Sequence, residues 1–119
     1  DVEAWPHPPV WLHGDLHPAN LLAIDDRSGR RSSAVIDWGD VCAGDPATDL
    51  SVAWALFEPG DRDRFRSAAS GSEFGIDDAT WRRAEAWAVH FALVYLANAA
   101  DDPMISALGD RLVERLLDS

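Results

Sequence analysis

The spacing of three polar side chains near the start of the chain constrains its fold more than any other sequence feature. Asp15 and Asn20 stand at the two ends of one loop, and Asp37 follows seventeen positions after Asn20. Gly14 permits a tight backbone path at the start of this loop, and Pro18 stiffens its middle. Such a loop can turn back on itself and present Asp15 and Asn20 to one cavity.

The gap between Asn20 and Asp37 has the length and composition of a β-hairpin. Two short strands are predicted at residues 20–24 and 33–37, and the polar residues 25–32 form the turn between them. The second strand would pair back along the first and end at Asp37. The hairpin would therefore bring Asp37 to the same cavity as the loop.

Helices are predicted for the rest of the chain. Asp45 is expected to cap a helix with Pro46 at its first position, and Pro59-Gly60 would end it. The apolar residues of this helix repeat at i, i+3, i+4 and i+7, at Leu50, Ala53, Trp54 and Phe57.

Three further helices follow in this reading. Residues 61–69 form a short polar helix, and residues 78–100 form a long one whose near-continuous apolar composition predicts burial on most faces. Asp102-Pro103 starts a last amphipathic helix, with Ile105, Leu108, Leu112 and Leu116 facing inward. The predicted fold class is α+β and mostly helical, with residues 1–119 forming one domain.

Charge and composition exclude several classes of partner. The net charge of −11 argues against nucleic acid, whose phosphates require clustered cations. An acidic surface would attract cationic ligands or metal ions, and the alternative interpretation is that it serves solubility. No segment reaches the roughly 20 uninterrupted apolar residues of a membrane span, so no membrane partner is expected. Cys42 is the only cysteine, which excludes an internal disulfide bond and favours a reducing, cytoplasmic setting.

The three polar side chains suit a magnesium-nucleotide site. Magnesium prefers hard oxygen ligands and takes one or two protein groups beside substrate phosphates, a preference that Asp37 and the Asn20 side-chain oxygen meet. Asp15 then has no metal to hold and is free to accept or orient the proton of an attacking hydroxyl.

All ten basic residues are arginine, and the chain contains no lysine. Enzymes that handle ATP commonly pair a lysine with the nucleotide phosphates. If the chemistry is phosphoryl transfer, part of the nucleotide site must lie outside these residues. The chain also begins without methionine and reaches its motif almost at once, so we expect it to be the C-terminal piece of a longer protein.

Three segments together resemble one enzyme family. The segment 13–20 matches H-x-D-x-x-x-x-N and resembles the catalytic loop of aminoglycoside phosphotransferases and related small-molecule kinases. The segment 35–40, Val-Ile-Asp-Trp-Gly-Asp, resembles the stretch that replaces D-F-G of protein kinases. The segment 44–50, Gly-Asp-Pro-Ala-Thr-Asp-Leu, resembles the family's entry into the next helix.

The resemblance implies the C-terminal lobe of a protein-kinase-like fold, with a catalytic loop, a small hairpin and about four helices. It implies that Asp15 is catalytic, that Asn20 and Asp37 hold Mg²⁺ and the nucleotide, and that Asp49 braces the loop. It also implies transfer of the γ-phosphoryl group of ATP or GTP to a hydroxyl of an aminoglycoside-like or other hydroxylated metabolite, including cationic ones. The N-terminal nucleotide lobe, with its lysine and glutamate, is missing from these residues, so we expect the fragment alone to be inactive.

We interpret most of the histidines and tryptophans as structural residues. His13 is expected to pack and hydrogen-bond the loop, whereas His17 either braces it or approaches a phosphate or substrate. His90, among apolar neighbours on the long helix, is interpreted as a core histidine. The tryptophans at helical spacing are also interpreted as core residues: Trp54, Trp81 and Trp87.

Two other functions remain open from the sequence. A metal-dependent hydrolase could use Asp15-x-His17 as a metal pair, but its remaining ligands are not evident. The chain could also be a non-catalytic lobe or fragment that needs its missing half.

Overall fold

The computed structural model describes residues 2–118 and shows an α+β fold, as predicted. A short 3₁₀ turn, Pro18–Asn20, lies between the first two strands. The strands are β1 (Val10–Leu12), β2 (Leu21–Asp26), β3 (Gly29–Val35) and β4 (Cys42–Gly44). The helices are α1 (Ala47–Leu50), α2 (Val52–Leu56), α3 (Pro59–Ser70), α4 (Asp78–Ala97) and α5 (Pro103–Leu117).

The predicted hairpin is present as the antiparallel pair β2–β3, but its turn is far shorter than the predicted segment 25–32. The strands continue to the pair Asp26–Gly29, so only two residues remain in the turn. The Asp26 carboxylate accepts the Ser28 amide at 2.8 Å, and Gly29 adopts φ +106°, which together close this tight turn. Charged residues thus form strand where composition alone predicts a loop.

A second antiparallel pair, β1–β4, was not predicted from the sequence. Leu12 pairs with Cys42 and Val10 with Gly44, which joins the segment before the Asp15 loop to the segment after Asp37. In addition, β3 ends at Val35. The prediction that the strand runs to Asp37 is therefore wrong, and Asp37 lies in the connection between β3 and β4.

The helix predicted from Asp45 is present but broken. The Asp45 carboxylate accepts the Ala47 amide at 3.0 Å, and the segment divides at Ser51 into α1 and α2. Pro59 does not end this helix as predicted. It occupies the first turn of α3, where the missing N–H of a proline costs nothing because a backbone N–H there has no intrahelical partner. If α1 and α2 are counted together, the described residues contain about four helices, as predicted.

The core lies where α4 meets α1, α2 and α5. Three alanines spaced four residues apart on α4 are almost fully buried and leave room for the neighbouring helices: Ala84, Ala88 and Ala92. Gly109 allows α5 to pack closely against α4, because a Cβ there would lie 2.9 Å from Leu96 Cδ2. Trp54 and Trp81 are buried in this core, as predicted.

Burial of α4 on most faces is not observed. Only one face is buried, while Val89 and Leu93 on the other side are 46% and 63% exposed. His90 is exposed, so its interpretation as a core histidine is wrong, and Trp87 is only partly buried. An apolar composition does not reveal how many faces of a helix have neighbours, and the exposure of Val89 and Leu93 shows that part of the α4 surface is not covered by another element within residues 2–118.

The last helix agrees closely with its prediction. The Asp102 carboxylate accepts the amides of Met104 and Ile105 at 3.0 and 3.3 Å and so caps α5. Leu108 and Leu112 are buried on its inner face. None of the helices between residues 2 and 118 has the length and apolar character needed to cross a bilayer.

Candidate active site

The loop between β1 and β2 is tied to α1 through one carboxylate. Asp49, in the first turn of α1, accepts the backbone N–H of His13 at 2.7 Å and that of Gly14 at 3.0 Å, one on each oxygen. Hydrogen bonds to an ionised acceptor are about twice as strong as neutral ones. Asp49 therefore fixes the backbone immediately before Asp15.

His13 joins the loop to the segment that follows β3. The residue is 3% exposed, and its Nδ1 accepts the Asp15 backbone N–H at 3.1 Å. An acceptor role for Nδ1 places the ring proton on Nε2, which donates to the Ile36 carbonyl at 2.7 Å. The Trp38 ring packs on the same imidazole, with centroids 4.7 Å apart. His13 thus links two segments that meet beside Asp15.

Gly14 is required by the close approach of the same two segments. Its φ is +89°, and a Cβ at this position would lie 2.4 Å from the Asp40 carbonyl oxygen. Any other residue would strain the backbone and push the segment after Asp37 away from the loop.

Asn20 is committed through its amide nitrogen to Asp15. Its Nδ2 donates to the Asp15 carbonyl at 2.8 Å and approaches the Asp15 carboxylate at 3.4 Å. Asn20 is 5% exposed, and its side-chain oxygen accepts no hydrogen bond from residues 2–118. The oxygen is therefore the atom left for a ligand.

His17 completes the surroundings of Asp15. Its Nε2 lies 3.3 Å from Asn20 Nδ2, which can only donate, and 3.7 Å from an Asp15 oxygen. The neutral ring then carries its proton on Nδ1, which is buried without a hydrogen-bond partner in the described chain. The Asp15 side chain itself remains 34% exposed, so a ligand can reach it.

Asp37 lies in a strained but firmly anchored position. Its φ of +60° is the only positive value among the described non-glycine residues, and Asp is one of the few residue types that tolerate this region. The preceding Ile36 donates its N–H to the Asn20 carbonyl at 2.9 Å and accepts from His13. The Asp37 carboxylate forms no hydrogen bond or ion pair with residues 2–118 and is exposed. The backbone thus anchors a free carboxylate next to the loop.

The donor set can be compared with two kinds of metal centre. Within residues 2–118 no group of three or more His, Cys, Asp or Glu side chains could hold a metal ion. A dinuclear hydrolase centre built on Asp15-x-His17 needs such a group. A magnesium ion needs fewer protein ligands, because waters and substrate phosphates supply the rest. The free oxygens of Asn20 and Asp37 therefore fit magnesium better than a hydrolytic metal pair.

One residue of this region was missed from the sequence. Tyr95 on α4 meets the His17 ring edge to face, with centroids 6.0 Å apart, and is 8% exposed. Burial, and then the negative charge of Asp15, raise the pKa of Tyr95 to about 12. The only sequence signal was its place on the buried stripe of α4, three residues after Ala92, together with its being the single tyrosine.

A cleft of about 700 Å³ opens beside the loop, between the hairpin and the helices α2 and α3. Leu16 and Pro18 of the loop form part of its wall, and Arg30, Arg31 and Asp61 supply charges at its edge. The volume lies within the range of small-molecule sites. Its position gives a ligand an approach to the loop from the hairpin side.

Comparison with known proteins gave one finding. A family model described as "Phosphotransferase enzyme family" matches residues 2–87, which include both strand pairs, the Asp15 loop and Asp37. The searches of curated proteins and of solved structures each found no significant match.

Proposed function

The chain belongs to the phosphotransferase enzyme family, and on that premise we propose that it is the C-terminal lobe of a kinase-like enzyme. The enzyme transfers the γ-phosphoryl group of ATP or GTP to a hydroxyl of a small molecule. The acceptor is an aminoglycoside-like or other hydroxylated metabolite, and a missing N-terminal lobe completes the nucleotide site. The single observation that carries this proposal is that the Asn20 amide nitrogen holds the Asp15 backbone, which leaves the Asp15 carboxylate and the Asn20 side-chain oxygen available to ligands.

Asp15 has the properties of a group that orients an attacking hydroxyl. Its backbone is fixed by His13 and Asn20, while its carboxylate stays partly exposed. A carboxylate held in this way can accept the proton of a substrate hydroxyl and aim the oxygen. Phosphoryl transfer depends mainly on such positioning and on charge stabilisation, with no covalent role for the protein.

Asn20 and Asp37 would hold Mg²⁺. The Asn20 amide nitrogen is occupied by Asp15, which leaves its oxygen for the ion, and the Asp37 carboxylate has no partner among residues 2–118. When bound, the nucleotide would supply the transferred group, and magnesium would neutralise the charge that develops on it. The residues themselves hold these groups beside Asp15.

Asp49 and His13 act by positioning. Asp49 holds the two amides before Asp15, and His13 keeps the segment that leads into Asp37 against the loop. The acidic character of the chain, with a net charge of −11, would attract a cationic acceptor over distances comparable to the Debye length.

The test measures magnesium-dependent phosphoryl transfer from ATP to kanamycin in the longer protein that this proposal implies. Asp15→Ala should abolish transfer and leave magnesium-ATP binding nearly unchanged, whereas Asp37→Asn should weaken that binding. Asp40→Asn, three positions from Asp37, is the matched carboxylate control and should retain both. Undiminished transfer by Asp15→Ala would contradict the proposal.

Calorimetry of the 119-residue chain with magnesium-ATP tests the need for a second lobe. The absence of any lysine in the chain predicts weak binding, because the phosphates lose their usual cationic partner. Tight binding by the chain alone would show that the nucleotide site is complete within it.

A further inference from the structure

The face of α4 that adjoins the Asp15 loop carries Tyr95, whose hydroxyl has no hydrogen-bond partner in the part of the chain that the structure describes. The Tyr95 ring meets the ring of His17, and His17 in turn lies 3.7 Å from an Asp15 oxygen. The Asp15 charge also acts on the Tyr95 phenol. Tyr95 therefore belongs to the cluster around the proposed catalytic carboxylate.

The Tyr95 hydroxyl forms no hydrogen bond with residues 2–118. A tyrosine as deeply buried as this one normally finds a partner for its O–H. The hydroxyl is also not one of the side-chain atoms that are sealed from solvent without a partner; those are His17 Nδ1, Trp54 Nε1 and Arg62 Nη1. The Tyr95 hydroxyl, without a hydrogen-bond partner in residues 2–118 and near enough to Asp15 for the carboxylate charge to act on it, is a donor available to a ligand.

Packing fixes the direction of this donor. Phe91, one turn earlier on α4, stacks on the Tyr95 ring with centroids 6.0 Å apart and planes at 17°. The edge-to-face contact with His17 restrains the ring further. A donor that is already oriented loses little conformational freedom when it binds, which makes it suited to substrate selection.

We propose that Tyr95 contacts the acceptor substrate, its hydroxyl donating a hydrogen bond to a second oxygen of the molecule whose reacting hydroxyl Asp15 holds. This inference rests on the proposed function, because it assumes that the acceptor lies against Asp15. It narrows the substrate class to polyhydroxylated molecules such as sugars, cyclitols and aminoglycosides. A simple alcohol would leave the Tyr95 donor unpaired and would be disfavoured.

The phenol is suited to this task at neutral pH. Burial and the Asp15 charge both raise the pKa of Tyr95, to about 12, so the hydroxyl keeps the proton that it donates. Because the protonated phenol carries no charge, it does not compete with Asn20 and Asp37 for the magnesium ion.

The test uses the 119-residue chain and three probes: kanamycin, myo-inositol and cyclohexanol. The last two share a six-membered carbon ring but differ in the number of hydroxyls. Binding is followed by saturation-transfer NMR in the unchanged chain and in Tyr95→Phe, which removes only the hydroxyl. We expect about a tenfold loss of affinity for kanamycin and myo-inositol and no change for cyclohexanol, as for one lost hydrogen bond.

His90→Gln is the control variant, since His90 is exposed on the same helix and is expected to leave all three affinities unchanged. Circular dichroism and the Tm confirm that Tyr95→Phe remains folded. Equal affinities for the polyols in the unchanged chain and in Tyr95→Phe would overturn the inference. Failure of both polyols to bind the unchanged chain at saturating concentration would overturn it as well.

The inference and the proposed function can fail separately. Polyol binding that depends on Tyr95, without any magnesium-ATP-dependent transfer in the longer protein, would sustain the contact and refute the kinase assignment. Transfer to kanamycin with the same kcat/KM in Tyr95→Phe would sustain the kinase assignment and refute the contact.

Discussion

The Asp15 loop and the tip of the β2–β3 hairpin both contain hydrogen-bonded carboxylates, yet the two regions use them differently. Asp49 accepts two backbone amides from a segment far away in the sequence. Asp25 instead pairs with the Arg30 side chain across its own hairpin, and both groups are largely exposed. The first contact joins separate parts of the fold and fixes the Asp15 loop, whereas the second is a solvent-exposed ion pair near the hairpin turn. The partner of a carboxylate and its burial, more than its charge, therefore decide how much the carboxylate contributes to the stability of the fold.

Removal of the Asp49 carboxylate should have the largest effect on stability. Asp49→Ala leaves the amides of His13 and Gly14 without their acceptor and should lower the free energy of unfolding by about 3–5 kcal/mol. Urea unfolding measures the loss, and hydrogen exchange at these two amides should accelerate. Asp25→Ala is the matched control from the hairpin. A similar small effect in both variants would show that the two regions do not differ as described.

Glycine substitutions sharpen the same comparison at the level of the backbone. Gly14 and Gly29 both have positive φ, but a Cβ at Gly14 would meet the Asp40 carbonyl at 2.4 Å, whereas at Gly29 nothing lies within 4 Å. Gly14→Ala should therefore cost about 2–4 kcal/mol, since it adds a backbone clash to the strain, and Gly29→Ala about 1–2 kcal/mol. Equal losses in urea unfolding would contradict the close approach at Gly14.

The ionisation of Tyr95 provides a test of the loop region that needs no substrate. The pKa of Tyr95 is raised from 10.0 to about 12, mainly by burial and secondly by the Asp15 charge. Between pH 10 and 12 the unfolded chain loses this proton before the folded chain does, so stability should fall in that window, by about 2 kcal/mol in total. Urea unfolding at several pH values should show this fall in the free energy of unfolding for the unchanged chain and not for Tyr95→Phe.

The phenolate absorbance makes the same titration directly visible, because the chain has one tyrosine and no lysine. Asp15→Asn removes the secondary cause and should lower the Tyr95 pKa, whereas Asp40→Asn serves as the carboxylate control and should leave it unchanged. An unshifted titration in Asp15→Asn would mean that Asp15 and Tyr95 do not share a cluster.

The sequence was sufficient where a local pattern determines the structure. The cap at Asp102, the inward leucines of α5 and the existence of the hairpin all follow from neighbours in the chain. The family was also predictable, because the three motifs stand in a fixed order, and the match over residues 2–87 confirms it. The roles of Asp15, Asn20 and Asp37 remain predictions that the mutants above address.

The features that the sequence did not predict depend on contacts between distant segments. β1 and β4 are three residues each, too short for a strand pattern, and exist because they pair with each other. The exposed side of α4 also carries apolar residues, Val89 and Leu93, so apolar composition alone does not distinguish it from the buried side. Tyr95 belongs to no motif, and only the packing of α4 against the loop brings it to His17.

The smallest effect is expected at the hairpin tip. The hydrogen bond from Arg30, and then its positive charge, lower the pKa of Asp25. A carboxylate with a lowered folded-state pKa contributes stability at neutral pH, and this contribution is lost as the pH falls through that value. Because both side chains are largely exposed, water and salt screen the pair, and Asp25→Ala should leave the urea midpoint at pH 7 nearly unchanged. A large loss in Asp25→Ala, comparable to that in Asp49→Ala, would mean that the hairpin tip is as deeply built into the fold as the Asp15 loop.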